Sequence, residues 1–364
     1  MRILHVANHV KESGNGIVNV MIDLACEQTA RNHQVGIISA GGQYEELLTR
    51  YHIRHYRLDQ TRKPAQLMRA VFDFRRMVAD FAPDIIHAHM MTGAVLARFL
   101  RGFRKYKIVT HVHNEFQKSA DFMKVGDRVI AVSQAVCDAM ASRGVKRDKL
   151  RVILNGTIGS PRNSDSGPEP LEGRAIVTVA GMYERKGISD LIDAFNLLAG
   201  CHPDVKLYIV GDGPDRARFE EHASSSPYSG RIRFAGFQSE SRRWMKAADV
   251  FVLASHKEPF GLVLIEARES GCAIVATEVD GIPEALDHGE SGILVPPRDA
   301  KTLADAIARL LDDDVMRQHY RARSGMGLDY YRAGRMAEEM LGVYRELLPG
   351  ASPLAEVPGT KHGL

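Results

Sequence analysis

Short apolar runs alternate with amphipathic helical stretches along most of the chain, and this rhythm limits the fold more than any single motif does. Arg2-Ile3-Leu4-His5-Val6-Ala7 reads as a buried strand, followed by a polar loop with Gly14 and Gly16 and the helical pattern IVNVMIDLACEQTA. The unit recurs in QVGIIS (34–39), DIIHAH (84–89) and KIVTHVH (107–113), with helices expected over 65–81 and 92–103 between them. DRVIAVS, a helix over 134–143 and LRVILNG complete the first set. Parallel neighbours need crossover connections, so this alternation predicts parallel sheets covered by helices.

The rhythm stops at 159–170, a stretch rich in Pro, Gly and Ser without apolar periodicity, which reads as a linker. It restarts with AIVTVAG (175–181), VKLYIVGDG (205–213), IRFAGF (232–237), DVFVLAS (249–255) and CAIVATE (272–278), and with helices near 188–199, 214–223 and 300–311. The expected fold is α/β with two Rossmann-like domains, 1–158 and 173–330, a linker over 159–172 and a cleft between them. A last amphipathic helix over 331–348 is expected to cross back to the first domain, and 349–364 to form a disordered tail.

Composition narrows the function classes. No apolar run reaches the roughly 18 residues of a membrane span. No secretory pattern follows Met1, so a cytoplasmic location is expected, with peripheral contact at the inner face of the plasma membrane. The four cysteines have no CxxC spacing and read as packing residues. The net charge of +3 conceals an asymmetry: residues 1–160 hold 24 Lys+Arg against 14 Asp+Glu, a net of +10, and the remainder is at −7. A basic first domain favours anionic partners such as a charged bilayer, a lipid diphosphate or an acidic glycan. The stretch over 65–81 carries Arg69, Arg75 and Arg76 among Leu67, Met68, Val71, Phe72 and Phe74, and the next has Arg98, Arg101, Arg104 and Lys105. Each could lie on a bilayer or pack as an ordinary crossover helix with solvated arginines.

The segment HKEPFGLVLIEARESG (256–271) carries the most chemistry. A strand ends just before it, and Pro259-Phe260-Gly261 lead into a helix, which puts Glu258 at the helix mouth and Glu266 inside it. Free N–H groups at such a terminus favour a diphosphate, leaving one carboxylate for sugar hydroxyls and the other for a ribose diol. This segment resembles the EX7E signature of the GT-B fold, family 4 retaining glycosyltransferases. PDIIHAH (83–89), ILNG (153–156), VGDGP (210–214), AAD (247–249), GIPE (281–284) and GILV (292–295) resemble further motifs of that family in the same order.

The resemblance implies a retaining hexosyltransferase that takes a UDP-, GDP- or ADP-sugar and a glycan or lipid-linked acceptor in bacterial surface polysaccharide assembly, with no metal, cofactor or nucleic acid. It assigns the donor sugar to Glu258 and His113, the ribose to Glu266, phosphate to the backbone of Phe260, Gly261 and Leu262, and the base to the backbone around Phe237. His111 takes the place of His113 if the register shifts by two. Lys186 matches the family's KG lysine and would neutralise the diphosphate. The usual arginine just before that motif is Gly181 here, and Arg185 is the candidate to replace its charge. Gly14 and Gly16 resemble the family's glycine loop near the donor phosphates, without the third glycine of a dinucleotide fingerprint. His87 and His89 lie at alternate positions of one strand, where packing accounts for them as well as function does. Two other readings stay open: a nucleotide-sugar epimerase or hydrolase of the same architecture, and a non-catalytic subunit of a polysaccharide assembly complex.

Overall fold

The structure, a computed structural model, describes residues 1–58, 64–163 and 166–348, with the side chains of 64–68 undescribed. The expected tail over 349–364, and the side chains of Leu67 and Met68 in the basic stretch, lie outside what is described. In chain order the first half holds β1 (Arg2–Val6), α1 (Gly16–Ala30), β2 (Gln34–Ser39), α2 (Glu45–Arg50), β3 (Arg54–Arg57), α3 (Pro64–Phe81), β4 (Ile85–Ala88), α4 (Met91–Phe99), β5 (Lys107–Val112), β6 (Arg128–Ala131), α5 (Gln134–Ser142) and β7 (Leu150–Val152). The second half holds β8 (Arg174–Val179), α6 (Ile188–Ala199), β9 (Val205–Val210), α7 (Arg216–Ser224), β10 (Ile232–Gly236), α8 (Ser241–Lys246), β11 (Val250–Leu253), α9 (Leu262–Glu269), β12 (Ile274–Thr277), α10 (Ile282–Ala285), β13 (Ile293–Val295), α11 (Ala300–Asp312), α12 (Asp314–Ser324) and α13 (Ala333–Leu347).

Two all-parallel sheets result, ordered β3-β2-β1-β4-β5-β6-β7 and β10-β9-β8-β11-β12-β13. Strands such as β4 and β11 are buried at every position, as sheets with both faces covered require. The helix expected over 92–103 ends at Phe99: Leu100 caps it and Gly102 at φ +54° turns the chain away. Cys201 is exposed, unlike the other three cysteines, which are buried. No helix among the described residues is long and apolar enough to cross a membrane.

α13 belongs to the first sheet. Met336, Ala337, Met340, Leu341 and Tyr344 recur at spacings of three and four and pack with Ile3, Val20, Leu24, Ile85, Val109 and Ile130. Beside it the two chain crossings are laced together: Thr157 and Ile158 donate to the Tyr331 carbonyl at 2.9 and 3.1 Å, Ala333 donates to Ile158 at 2.9 Å, and Arg335 reaches the Leu154 carbonyl at 2.9 Å. Residues just beyond the first crossing are also pinned, because Arg162 forks onto the buried Asp23 of α1 with two bonds of 2.8 Å.

Candidate active site

The carboxyl ends of both sheets face one cleft, where open α/β sheets place ligand groups. It has two halves, cavities of 410 and 740 Å³ that share Gly14, Gly16, Gly181, Lys186, Glu258, Gly261 and Leu262. The first half runs toward Phe237, Arg242 and Glu266; the second runs toward Asn114, His113 and Arg185.

At the pinch between them, Lys186 Nζ forms an ion pair with Glu258 Oε2, with only 13% and 11% of the two side chains exposed. The two residues to which the resemblance gives separate tasks therefore hold each other. Glu258 is placed by its backbone: its N–H donates to Asp280 Oδ2 at 2.8 Å and its carbonyl accepts from Gly281 at 3.0 Å. Lys186 is placed by the left-handed Gly187, φ +63°, whose absent Cβ would stand 1.9 Å from the Ala254 carbonyl oxygen. Only glycine lets that turn approach the end of β11 so closely.

Gly261 caps α9, and the N–H groups of Phe260, Gly261 and Leu262 make no hydrogen bond within the described residues. They stand free at the first turn, where the helix field favours an anion. Glu266 lines the first half, its carboxyl pushed above the ordinary carboxylate range by burial against the smaller opposing pull of Arg242 and Arg162. Phe237 is partly exposed and lines the same half, with Gly14 of the opposite domain 3.6 Å from its ring by the position a Cβ would take. Gly16 opens α1 just after Asn15, whose side chain caps the helix by accepting from Ile17 at 3.0 Å. The Arg185 guanidinium lies 5.2 Å from the Phe116 ring centre and 5.4 Å from that of Tyr183 and has no carboxylate partner among the described residues.

His113 forms part of a cluster. His5, His87 and His111 lie in adjacent strands, with His89 and His113 just beyond two of them, and the alternation of strand side chains turns all five to one face. All are buried, and burial lowers their pKa values, that of His5 to about 4 and that of His113 to about 3. His113 keeps 8% of its surface at the cleft, whereas His111 keeps none. Two triplets, His5/His87/His89 and His89/His111/His113, bring one nitrogen from each ring within 4.8 Å of the others, a grouping that linear spacing did not reveal.

Several residues escaped the sequence reading. Arg162 and Arg242 line the first half of the cleft, and Arg242 pairs with Glu269. Glu284, read only as part of a motif, crosses the cleft to accept from the α5 N–H groups of Gln134 and Ala135 at 2.8 and 3.2 Å. Beside it the Ser133 hydroxyl donates to the Pro259 carbonyl at 2.6 Å.

Residues 14–157 match the family model described as Glycosyltransferase Family 4, and residues 160–324 match the one described as Glycosyl transferases group 1. The phosphatidyl-myo-inositol mannosyltransferase of Mycolicibacterium smegmatis is 35% identical over 301 residues, 78% of this chain and 76% of the relative. The lipopolysaccharide core biosynthesis glycosyltransferase LpsE of Rhizobium meliloti is 27% identical over 311 residues, 83% of this chain and 85% of that one. Among solved structures, Anabaena HepE in complex with UDP and glucose superposes with a TM-score of 0.81 at 21% identity, covering 94% of this chain and 99% of HepE. Two parallel-sheet domains meeting at one cleft, matched along both halves of the sequence, place the chain in glycosyltransferase family 4, with the GT-B fold.

Proposed function

We propose that the enzyme transfers a hexose from a nucleoside diphosphate sugar to a glycan or glycolipid hydroxyl, with retention of anomeric configuration and without a metal ion, in the assembly of a bacterial surface glycan. The observation that carries this reading is the Lys186–Glu258 ion pair at the pinch of the cleft, beside the free N–H groups that open α9. A diphosphate seated there meets a cation and a helix N-terminus, which stabilise the charge that grows on the leaving group. Entry of the phosphate draws Lys186 toward it and releases Glu258 to accept hydroxyls of the sugar. Glu266 then faces the ribose, the backbone at Phe237 the base, and Gly16 the phosphates from the opposite wall. Arg185 stands in the second half of the cleft as a further cation for the departing phosphate. His113 meets the sugar from the first domain. The acceptor oxygen bonds to the anomeric carbon on the face the phosphate leaves, and its proton passes to the departing phosphate oxygen.

Incubation with UDP-, GDP- and ADP-sugars, monitored by thermal shift and by product analysis with and without acceptor, tests the reading. One donor class should raise the melting temperature, since a ligand bound only to the folded state stabilises it. Transfer should survive chelation by EDTA with the anomeric configuration unchanged. Donor hydrolysis as the sole outcome, or activity restored only by a divalent ion, would refute it.

The first domain's anionic partner is proposed to be a bilayer surface. Phe103 is fully exposed and Phe99 is 73% exposed, in a turn bearing Arg98, Arg101, Arg104 and Lys105, and Arg104 bonds the Arg75 carbonyl of α3 at 3.3 Å. Exposed rings within a basic patch suit the boundary of an anionic leaflet. The enzyme should co-float with vesicles containing phosphatidylglycerol and not with pure phosphatidylcholine, and Phe99→Ser with Phe103→Ser should abolish flotation. Flotation unaltered by that pair would remove the patch.

A further inference from the structure

A single side-chain amide at the back of the first domain is linked to the cleft by a chain of histidine rings. Gln28, on α1 and fully buried, has its amide oxygen 2.8 Å from His5 Nε2. His5 Nδ1 lies 3.0 Å from His89 Nε2, and His89 Nδ1 lies 3.3 Å from His113 Nε2. On its other side the Gln28 amide nitrogen donates to the Tyr344 hydroxyl at 3.3 Å, and that hydroxyl stands 2.5 Å from His87 Nδ1.

A neutral imidazole carries one N–H and one lone pair, so a bond at one nitrogen dictates the role of the other. An amide oxygen can only accept, and His5 must therefore carry its proton on Nε2. Its Nδ1 is then an acceptor and takes a bond from His89 Nε2–H. The same step repeats from His89 to His113. The last ring ends with its proton on Nε2 and a bare Nδ1, and that nitrogen has no partner among the described residues in a ring that reaches the cleft. Burial keeps these rings neutral, so the chain does not break by protonation near neutral pH.

We propose that Gln28 is a positioning residue for sugar transfer: through His5 and His89 it fixes the tautomer of His113, so that His113 presents an acceptor nitrogen to a hydroxyl of the donor sugar. Tyr344, on the helix that crosses back, orients the amide by giving its own proton to His87 Nδ1, which leaves its oxygen to take the amide N–H. The amide turned over would reverse every bond in the chain and leave His113 a donor. The site then selects a sugar whose hydroxyl points at Nδ1, because a deoxy sugar leaves that nitrogen unpaired. The inference rests on the proposed role of His113 at the donor sugar.

The test is a long-range ¹H–¹⁵N spectrum of the histidine rings of the full chain, with each signal assigned by single-histidine variants, alongside kinetics. Wild-type His113 should show a protonated Nε2 and an unprotonated Nδ1 resonating well downfield of it. Gln28→Leu should mix the two tautomers of His113 and lower kcat about tenfold with the donor KM little changed. Tyr344→Phe, which keeps the amide and frees it to turn, should mix them as well and serves if Gln28→Leu does not fold. A proton on His113 Nδ1 in the wild type, or a His113 signature identical in wild type and a folded Gln28 variant, overturns the proposal. His113→Ala is made separately: full transfer activity there refutes the donor-sugar role itself, whereas its loss beside an unchanged tautomer in Gln28→Leu refutes the relay alone.

Discussion

Lys186 and Glu258 hold each other in the cleft, where little solvent reaches either side chain, so each is the other's counter-charge. Lys186→Ala should lower kcat about a hundredfold, the scale seen when one preorganised group at a developing anion is removed. Single-turnover assays at saturating donor measure this, and unchanged turnover would exclude the role. Gly187→Ala places a Cβ 1.9 Å from the Ala254 oxygen at φ +63°. It should cost at least about 1–3 kcal/mol in denaturant unfolding and reduce activity by shifting the lysine beside it. Lys186, Glu258 and Glu266 were legible because each stands at a fixed offset from a strand end and a helix start. Arg162 was not, because it lies in a stretch without periodicity and its meaning depends on Asp23, 139 positions earlier. Arg242 and Glu284 were missed for the same reason: each takes its partner from a distant segment.

Three neighbouring strands turn five histidines toward α1 and α13, which gives this face a pH response of its own. Their folded pKa values are lowered, so between the unfolded value near 6.5 and the folded ones, about 4 for His5 and about 3 for His113, the unfolded chain binds protons that the folded chain refuses. Stability should be complete above about pH 6.5 and fall as the pH drops through that window. Melting temperatures from pH 7.5 to 4.5 test it, and His5→Phe should flatten the decline. A flat profile in the wild type would mean that the rings are not held neutral. Long apolar strands and helices such as α6 and α11 were readable from periodicity. α2, β3, α8 and α12 went unread: β3 is Arg-His-Tyr-Arg, with no buried position, and α12 buries only Ser324. Such elements form because neighbours hold them, and their own sequences carry little of that signal.

Across the whole molecule, the two-domain plan was written in the restart of the alternation after residue 170, but the contacts that close the cleft were not. Glu284 caps α5 from the far domain and Ser133 bonds the Pro259 carbonyl, so a glutamate and a serine clasp the walls together. Glu284→Ala should enlarge the radius of gyration in X-ray scattering and change kcat and KM together, as loosened closure does. An unaltered scattering curve would show that the clasp does not hold the cleft. The crossing-back of α13 bears on how the chain is made. The first sheet cannot finish covering Ile3, Ile85, Val109 and Ile130 until residues 333–347 leave the ribosome, 181–195 residues after Val152 ends the sheet's own last strand. At roughly 5–20 residues per second that is a wait of roughly 10–40 s. The domain made first is therefore finished last, and its apolar face stands open to chaperones and to aggregation throughout that interval.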